Sequence, residues 1–259
     1  MRILVAVKQV PDPEAQVGVD ADGRRPAFPY PPRYLLNQFD EFAIEEGVRI
    51  KQANPGVVLD VLSIGPERVK AVLERCLGMG ADNAVWIESD PADWLPPLSV
   101  AGLIAAYVGR TPYELIITGV MAEDDMQAQV GPMLAALLGW PSATSVIRVA
   151  PNLAEGVFEV EREVEGGRRI SLKISGPCVL AVQSGINKPR YPTLSGLLRA
   201  KKQTPLRLAA ADLEVGPVRE GLATLGFPRK SRAGLTLEGE AREKARRLVG
   251  ILKEKALLA

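Results

Sequence analysis

Two stretches of this chain combine residue types at spacings able to do chemistry. The first runs Gly119-Val120-Met121-Ala122-Glu123-Asp124-Asp125-Met126-Gln127-Ala128-Gln129-Val130-Gly131, from the end of one apolar run into the start of another. Where a strand ends and a helix begins, free backbone N–H groups and the positive end of the helix dipole favour phosphate. Gly131 permits close approach of backbone or ligand. The stretch is neither a P-loop nor GxGxxG, and an ordinary loop whose acidic residues cap the following helix is the competing explanation. Glu123, Asp124 and Asp125 also offer hard oxygen ligands for magnesium near a phosphate, as in a hydrolase or ligase. No nucleophile or general base accompanies them, so a helix cap is the better reading and no metal is expected.

The second stretch, Asn187-Lys188-Pro189-Arg190-Tyr191-Pro192-Thr193-Leu194-Ser195-Gly196-Leu197-Leu198-Arg199-Ala200-Lys201-Lys202, alternates rigid turns with apolar and basic side chains. It suits docking onto an acidic partner; the plainer alternative is a solvated basic helix start whose leucines are core. The chain contains no histidine, which removes imidazole as general base, proton shuttle or metal ligand. Its two cysteines, Cys76 and Cys178, stand far apart in apolar segments, against a disulfide framework or metal site. The 32 basic and 31 acidic residues nearly cancel, leaving no global charge argument for nucleic acid or an anionic membrane. The first apolar run is too short for a secretory signal and no stretch reaches transmembrane length. A cytoplasmic location is therefore expected.

Both stretches need a scaffold, and 259 residues that are 47% apolar can build one. Ile3 to Val7 is continuous, β-branched and closed by Pro11-Asp12-Pro13, as for a strand buried on both faces. A polar segment follows to Arg33. Asn37-Gln38-Phe39-Asp40-Glu41 then opens a periodic stretch (Phe42, Ile44, Val48, Ile50) whose acidic first turn suits a helix N-terminus. Val57 to Ile64, Ala84 to Ile87 and Glu114 to Gly119 read as further buried strands, separated by helical stretches around Val72 and from Leu98 to Val108. This βαβα alternation implies a Rossmann-like parallel sheet with flanking helices, whose ligands sit beyond the carboxyl ends of the strands. The loops after Val7, Ile64 and Thr118 are the places to look. Thr144 to Val149, Val157 to Val164 and Arg169 to Ile174 read as an antiparallel meander. Cys178 to Val182 returns to a buried strand. Residues 203–259, with a charged helix from Glu238 to Leu257, read as an extended C-terminal arm on a main domain of residues 1–202.

Within the second stretch, Asn-x-Pro-Arg-Tyr-x-x-Leu followed by a short apolar helix and Ala-Lys-Lys resembles the signature of electron transfer flavoprotein (ETF) beta subunits. Other blocks agree in register: Val5-Ala6-Val7-Lys8-Gln9-Val10, Asn37 to Glu46, Leu77-Gly78-Met79-Gly80-Ala81-Asp82, and Glu161-Arg162-Glu163-Val164-Glu165-Gly166-Gly167. The resemblance covers roughly residues 1–205 and implies a non-enzymatic electron carrier. Such a subunit pairs with an alpha subunit that holds most of the redox-active FAD. It takes electrons from acyl-CoA and other flavin dehydrogenases in fatty acid oxidation, and an ETF-quinone oxidoreductase passes them toward the respiratory chain. In the family the beta subunit usually buries a structural AMP. Carried over, Ala6, Asn37 and Ile64 would line the adenosine pocket, and the backbone from Asp125 through Gln127, Ala128 and Gln129 to Val130 would grip phosphate. Pro189 to Lys202 would be the recognition loop, with Pro189, Arg190, Tyr191, Lys201 and Lys202 around a Leu194 anchor.

Two departures bear on the ligand. This chain has Ala128-Gln129-Val130 where mammalian-type members have Asn-Gln-Thr, and Pro13 where they carry a tyrosine near the flavin. The Ala-Gln-Val-Gly-Pro run is similar to the electron-bifurcating branch, whose beta subunit holds a second FAD; Asp125, where that branch usually has glycine, opposes a second flavin diphosphate and favours AMP. A nucleotide-binding regulator of the universal-stress type is the more distant alternative. It leaves the basic Pro-Arg-Tyr loop and the arm unexplained.

Overall fold

The apolar runs become the strands of one large sheet. In the computed structural model, which describes residues 1–90, 95–216, 220–227, 234–255 and 257, the chain leaves β1 (Arg2–Ala6) through two small antiparallel ribbons. These pair β2 (Gln9–Pro11) with β5 (Tyr34–Leu36) and β3 (Gly18–Val19) with β4 (Pro26–Ala27). Then come α1 (Gln38–Ala53), β6 (Val58–Gly65), α2 (Lys70–Met79), β7 (Asn83–Glu88), α3 (Pro97–Val108), β8 (Leu115–Gly119) and α4 (Val130–Leu138). The meander β9 (Ser142–Asn152), β10 (Val157–Val164) and β11 (Arg168–Ser175) leads to β12 (Cys178–Val182), α5 (Leu194–Ala200) and β13 (Leu206–Ala209).

Nine strands join in the order β11-β10-β9-β12-β8-β1-β6-β7-β13. Neighbours from β9 to β13 are parallel, and β10 runs against both β9 and β11. The order reverses at β1: β6 and β7 follow it on one side, β8 and β12 on the other. A crevice at the carboxyl ends of β1 and β8 is thus the expected ligand position for an open α/β sheet.

Alternate residues of each central strand feed opposite cores, which explains why these strands read as unbroken apolar runs. Ile3, Val5, Leu59, Val61 and Ile117 pack with Ile44, Val48, Leu73 and Leu77 of α1 and α2. Leu4, Ala6, Leu62 and Ile116 pack with Ile104, Tyr107 and Leu134 of α3 and α4. Cys76 and Cys178 are free thiols inside the first of these cores. No helix among the described residues is long and apolar enough to cross a membrane.

The α/β class, the parallel sheet with flanking helices and the meander agree with the sequence expectation; the margins differ. The polar segment before α1 contains the two ribbons, and β13 adds a parallel edge strand to β7. The first structural unit therefore runs Met1–Leu225, past the boundary expected at residue 202. The second, Gly226–Ala259, contains α6 (Ala241–Glu254), shorter than the helix expected from Glu238 to Leu257. Residues 217–219, 228–233, 256 and 258–259 of the expected arm lie outside the described residues.

Near the amino ends of the strands, Asp60 is fully buried and fully engaged. It accepts from Arg2 Nε at 2.6 Å, Asn83 Nδ2 at 2.8 Å and the Tyr113 hydroxyl at 2.7 Å, and that hydroxyl lies 3.0 Å from the hydroxyl of Tyr107. A buried acceptor that loses one donor bears its desolvation cost without return. Tyr113→Phe is expected to lower unfolding free energy by about 1–3 kcal/mol, read as a lower urea midpoint at unchanged m.

Candidate functional site

At the carboxyl end of the sheet, the register aligns small side chains in one row. Ala181 pairs with Thr118, Thr118 with Ala6, and Ala6 with Leu62. Ile64, two residues beyond Leu62, lies on the same face. Ala6 and Thr118 are buried, yet Thr118 Oγ1 has no hydrogen-bond partner among the described residues. α4 starts directly above: a Cβ on Gly131 would lie 3.0 Å from Thr118 Oγ1 and 3.3 Å from Ala181 Cβ. Its N-terminus carries no side-chain cap at Gln129, so its first amides remain available to an anion. An orphaned hydroxyl, small side chains and an uncapped helix start thus meet at the topological switch.

The walls of this site hang from the first turn of α1. The β2–β5 ribbon returns the chain so that Asn37 N–H donates to the Lys8 carbonyl at 3.0 Å. Asn37 is buried; its Nδ2 donates to the Met121 carbonyl at 2.9 Å and its Oδ1 accepts from Glu123 N–H at 3.1 Å. Three residues on, Asp40 accepts from Lys8 N–H at 2.7 Å and from Gly119 N–H at 3.0 Å, which ties the ends of β1 and β8 together. A Cβ on Gly119 would fall 2.5 Å from Asp40 Oδ1 and 2.7 Å from Phe39 Cβ, so glycine is required there.

The acidic cluster does not cap α4. Glu123 accepts from Gln38 N–H at 3.0 Å and so serves an amide at the start of α1, while Asp124 and Asp125 both accept from Lys8 Nζ, at 2.7 and 2.9 Å. Burial works to lower the Lys8 pKa, but Asp124 and then Asp125 outweigh it and hold it raised. Among the described residues no group of three or more His, Cys, Asp or Glu side chains is arranged to hold a metal.

Among the residues expected to grip phosphate, Asp125 Oδ1 accepts from Gln127 N–H at 3.1 Å. Ala128 and Gln129 are exposed, and Gln127 and Val130 half-buried. Met126 and Ala128 are left-handed, with φ of 52° and 54°, a conformation costly for residues with a Cβ and concentrated at functional sites. Asn37 therefore joins this loop directly, and Ala6 and Ile64 lie near the carboxyl ends of β1 and β6, packed in the same core. Gly119 opens the stretch singled out from the sequence, but the parts played by Lys8, Asp40 and Thr118 were not anticipated; the available signal was Asp40, a carboxylate three residues after a cap-type asparagine and beside apolar helix positions.

The second stretch sits elsewhere, across α1 and α2. Tyr191, Leu194 and Leu198 are strongly exposed, as are Lys201 and Lys202, and Pro189 is half-buried. Arg190 instead turns inward onto Glu45 at 2.8 Å. Thr193 caps α5, its Oγ1 accepting from Gly196 N–H at 3.0 Å.

Burial pushes the Asp40 carboxyl up to about 7, against the opposing pull of the Lys8 N–H, the Asn37 side chain and the Gly119 N–H. The folded state thus holds this proton more tightly than the unfolded chain, whose carboxyl titrates at about 4. The stability linked to Asp40 is complete below that range and is lost as pH rises through about 7. Asp40→Asn removes the titration. The difference in unfolding free energy, wild type minus variant, is expected to fall between about pH 4 and pH 8 in urea denaturation; a pH-independent difference would contradict the assignment.

The electron transfer flavoprotein domain model matches residues 32–213. The chain is 32% identical to electron transfer flavoprotein subunit beta of Methylophilus methylotrophus, covering 98% of each chain. It is 36% identical to the mitochondrial beta subunit of Oryza sativa subsp. indica, over 92% of this chain and 93% of the relative. The human beta subunit is 32% identical over the same shares. Together with the parallel sheet and its switch in strand order, these likenesses establish that the chain belongs to the electron transfer flavoprotein family, among its beta subunits.

Proposed function

We propose that this chain is the nucleotide-holding and partner-docking half of a heterodimeric electron carrier. It pairs with an alpha subunit bearing the redox-active FAD, accepts electrons from dehydrogenases such as acyl-CoA dehydrogenases, and passes them through an ETF-quinone oxidoreductase toward the respiratory chain. FAD supplies the electron chemistry when bound; the chain itself positions and docks, without bond-making chemistry of its own. A cytoplasmic place is part of this reading, although the rice relative is named as mitochondrial. The observation that carries the reading is the pinned segment whose apolar side chains face outward: Tyr191 is 85% and Leu194 75% exposed. An isolated large apolar side chain on a rigid mount suits a transient interface better than a core. A universal-stress-type regulator gives such a segment no role.

The strand-end site fits an adenine nucleotide. Ala6 and Ile64 offer an apolar floor, Thr118 Oγ1 an unmet hydrogen bond, and the loop from Asp125 to Val130 with the start of α4 the amides for phosphate. AMP is the favoured occupant over a second FAD. Lys8 is already matched by two carboxylates, so the loop has little positive charge left for a second phosphate.

The test is to co-express the chain with its alpha partner, denature the purified complex, and count the released nucleotides. One FAD and one AMP per heterodimer are expected; two FAD would assign the bifurcating type, and no FAD would refute the carrier reading. Leu194→Ala should remove about 1.5–3 kcal/mol of docking energy, a rise of roughly ten-fold or more in the KM for the flavoprotein. Flavin content should stay unchanged; its loss would make the loop a structural element instead.

A further inference from the structure

Two carboxylates on α1 are buried under the docking segment: Glu45 faces it, and Glu46 is shared between it and Arg49 of the same helix, at 3.3 Å. Glu45 and Glu46 are 4% and 5% exposed. Arg190 closes a fork on Glu45, Nε to Oε2 at 2.8 Å and Nη2 to Oε1 at 2.9 Å; its backbone N–H adds a third bond to Oε2 at 3.2 Å, and Nη2 also reaches Gln52 Oε1 at 3.1 Å. Asn187 Nδ2 donates to the Phe42 carbonyl at 3.0 Å and to Glu46 at 2.9 Å. A bidentate arginine–carboxylate pair fixes direction as well as distance.

The far side of the segment has a second mount. A Cβ on Gly78 of α2 would lie 2.9 Å from Leu197 Cδ2 and 3.0 Å from Pro192 Cβ, and a Cβ on Gly196 would lie 2.6 Å from the Gly78 carbonyl oxygen. α5 therefore rests on α2 at backbone distance. Tyr191 and Leu194 project between the two mounts, flanked by exposed Lys188, Arg199, Lys201 and Lys202.

We propose that Glu45 is a positioning residue for partner recognition, with the Gly78–Gly196 contact as its counterpart. This rests on the docking reading given above. Glu45 is buried beneath Arg190 and acts through it, holding Tyr191 and Leu194 in one pose for a dehydrogenase surface with an apolar pocket and an acidic rim. A pre-ordered anchor loses less freedom on binding, so loosening the mount weakens docking without slowing transfer within the docked complex.

The experiment uses the assembled flavoprotein, with an acyl-CoA dehydrogenase and its acyl-CoA substrate as electron donor. Glu45→Gln keeps the shape and removes the ionic fork. The KM for the flavoprotein is expected to rise about ten-fold, the scale of a lost charge-assisted hydrogen bond, while kcat and flavin content hold. Gly78→Ala, which pushes from the other mount, should act in the same direction. Combining Glu45→Gln with Leu194→Ala should raise KM no further than the larger single change, because an anchor out of pose has little left to lose. An unchanged KM in both Glu45→Gln and Gly78→Ala, or full additivity with Leu194→Ala, overturns the proposal. If Leu194→Ala alone leaves KM unmoved, the docking reading itself fails, and this inference with it.

Discussion

A carboxylate sealed inside a protein has to be given donors, and Asp40 takes them from the main chain at two strand ends. Its two oxygens hold Lys8 N–H and Gly119 N–H, so the ends of β1 and β8, which flank the switch in strand order, are fixed relative to each other by one side chain. Gly119 must be glycine for the carboxylate to come this close. With the main chain held there, the Lys8 side chain reaches Asp124 and Asp125. The acidic loop is thereby drawn back over the site instead of lying along α4.

The same helix serves both regions. Asn37 and Asp40 belong to the start of α1 and tie the strand-end loops; Glu45 and Glu46, about one and a half turns beyond Asp40, hold the segment that contains Asn187 and Arg190. α1 is itself seated by Ile44 and Val48 on the sheet, and Glu41 pairs with Arg75 of α2 at 2.6 Å. Its polar residues divide the work by position. Asn37 and Asp40 meet backbone amides and carbonyls, whereas Glu45 and Glu46 meet side chains of a segment more than a hundred residues away in sequence.

The sheet was legible because parallel strands buried on both faces write themselves as continuous apolar runs, as in Ile3-Leu4-Val5 and Leu115-Ile116-Ile117. The meander was legible from its Pro-Asn and Gly-Gly breaks. Ribbons of two or three residues have no period to detect, and β13 is a strand by virtue of its pairing with β7 and the Arg207–Glu88 ion pair. In the site, topology and resemblance located the loops and Asn37. Lys8 and Asp40 were missed because their partners lie far along the chain and because an acidic first turn already had a sufficient explanation in the helix dipole. Arg190 read as one more cation in a basic segment; that it faces inward depends on Glu45, which occupies a helix position that otherwise reads as surface.

The two thiols carry a consequence for a chain of this family. Burial pushes Cys178 up to about 12 and raises Cys76 further, and both lie within the apolar core. Thiolate is the reactive form of cysteine toward oxidants and disulfides. Burial thus works against the reactive form of both sulfurs and also closes them off from solvent, which withholds them from thiol exchange while the chain stays folded.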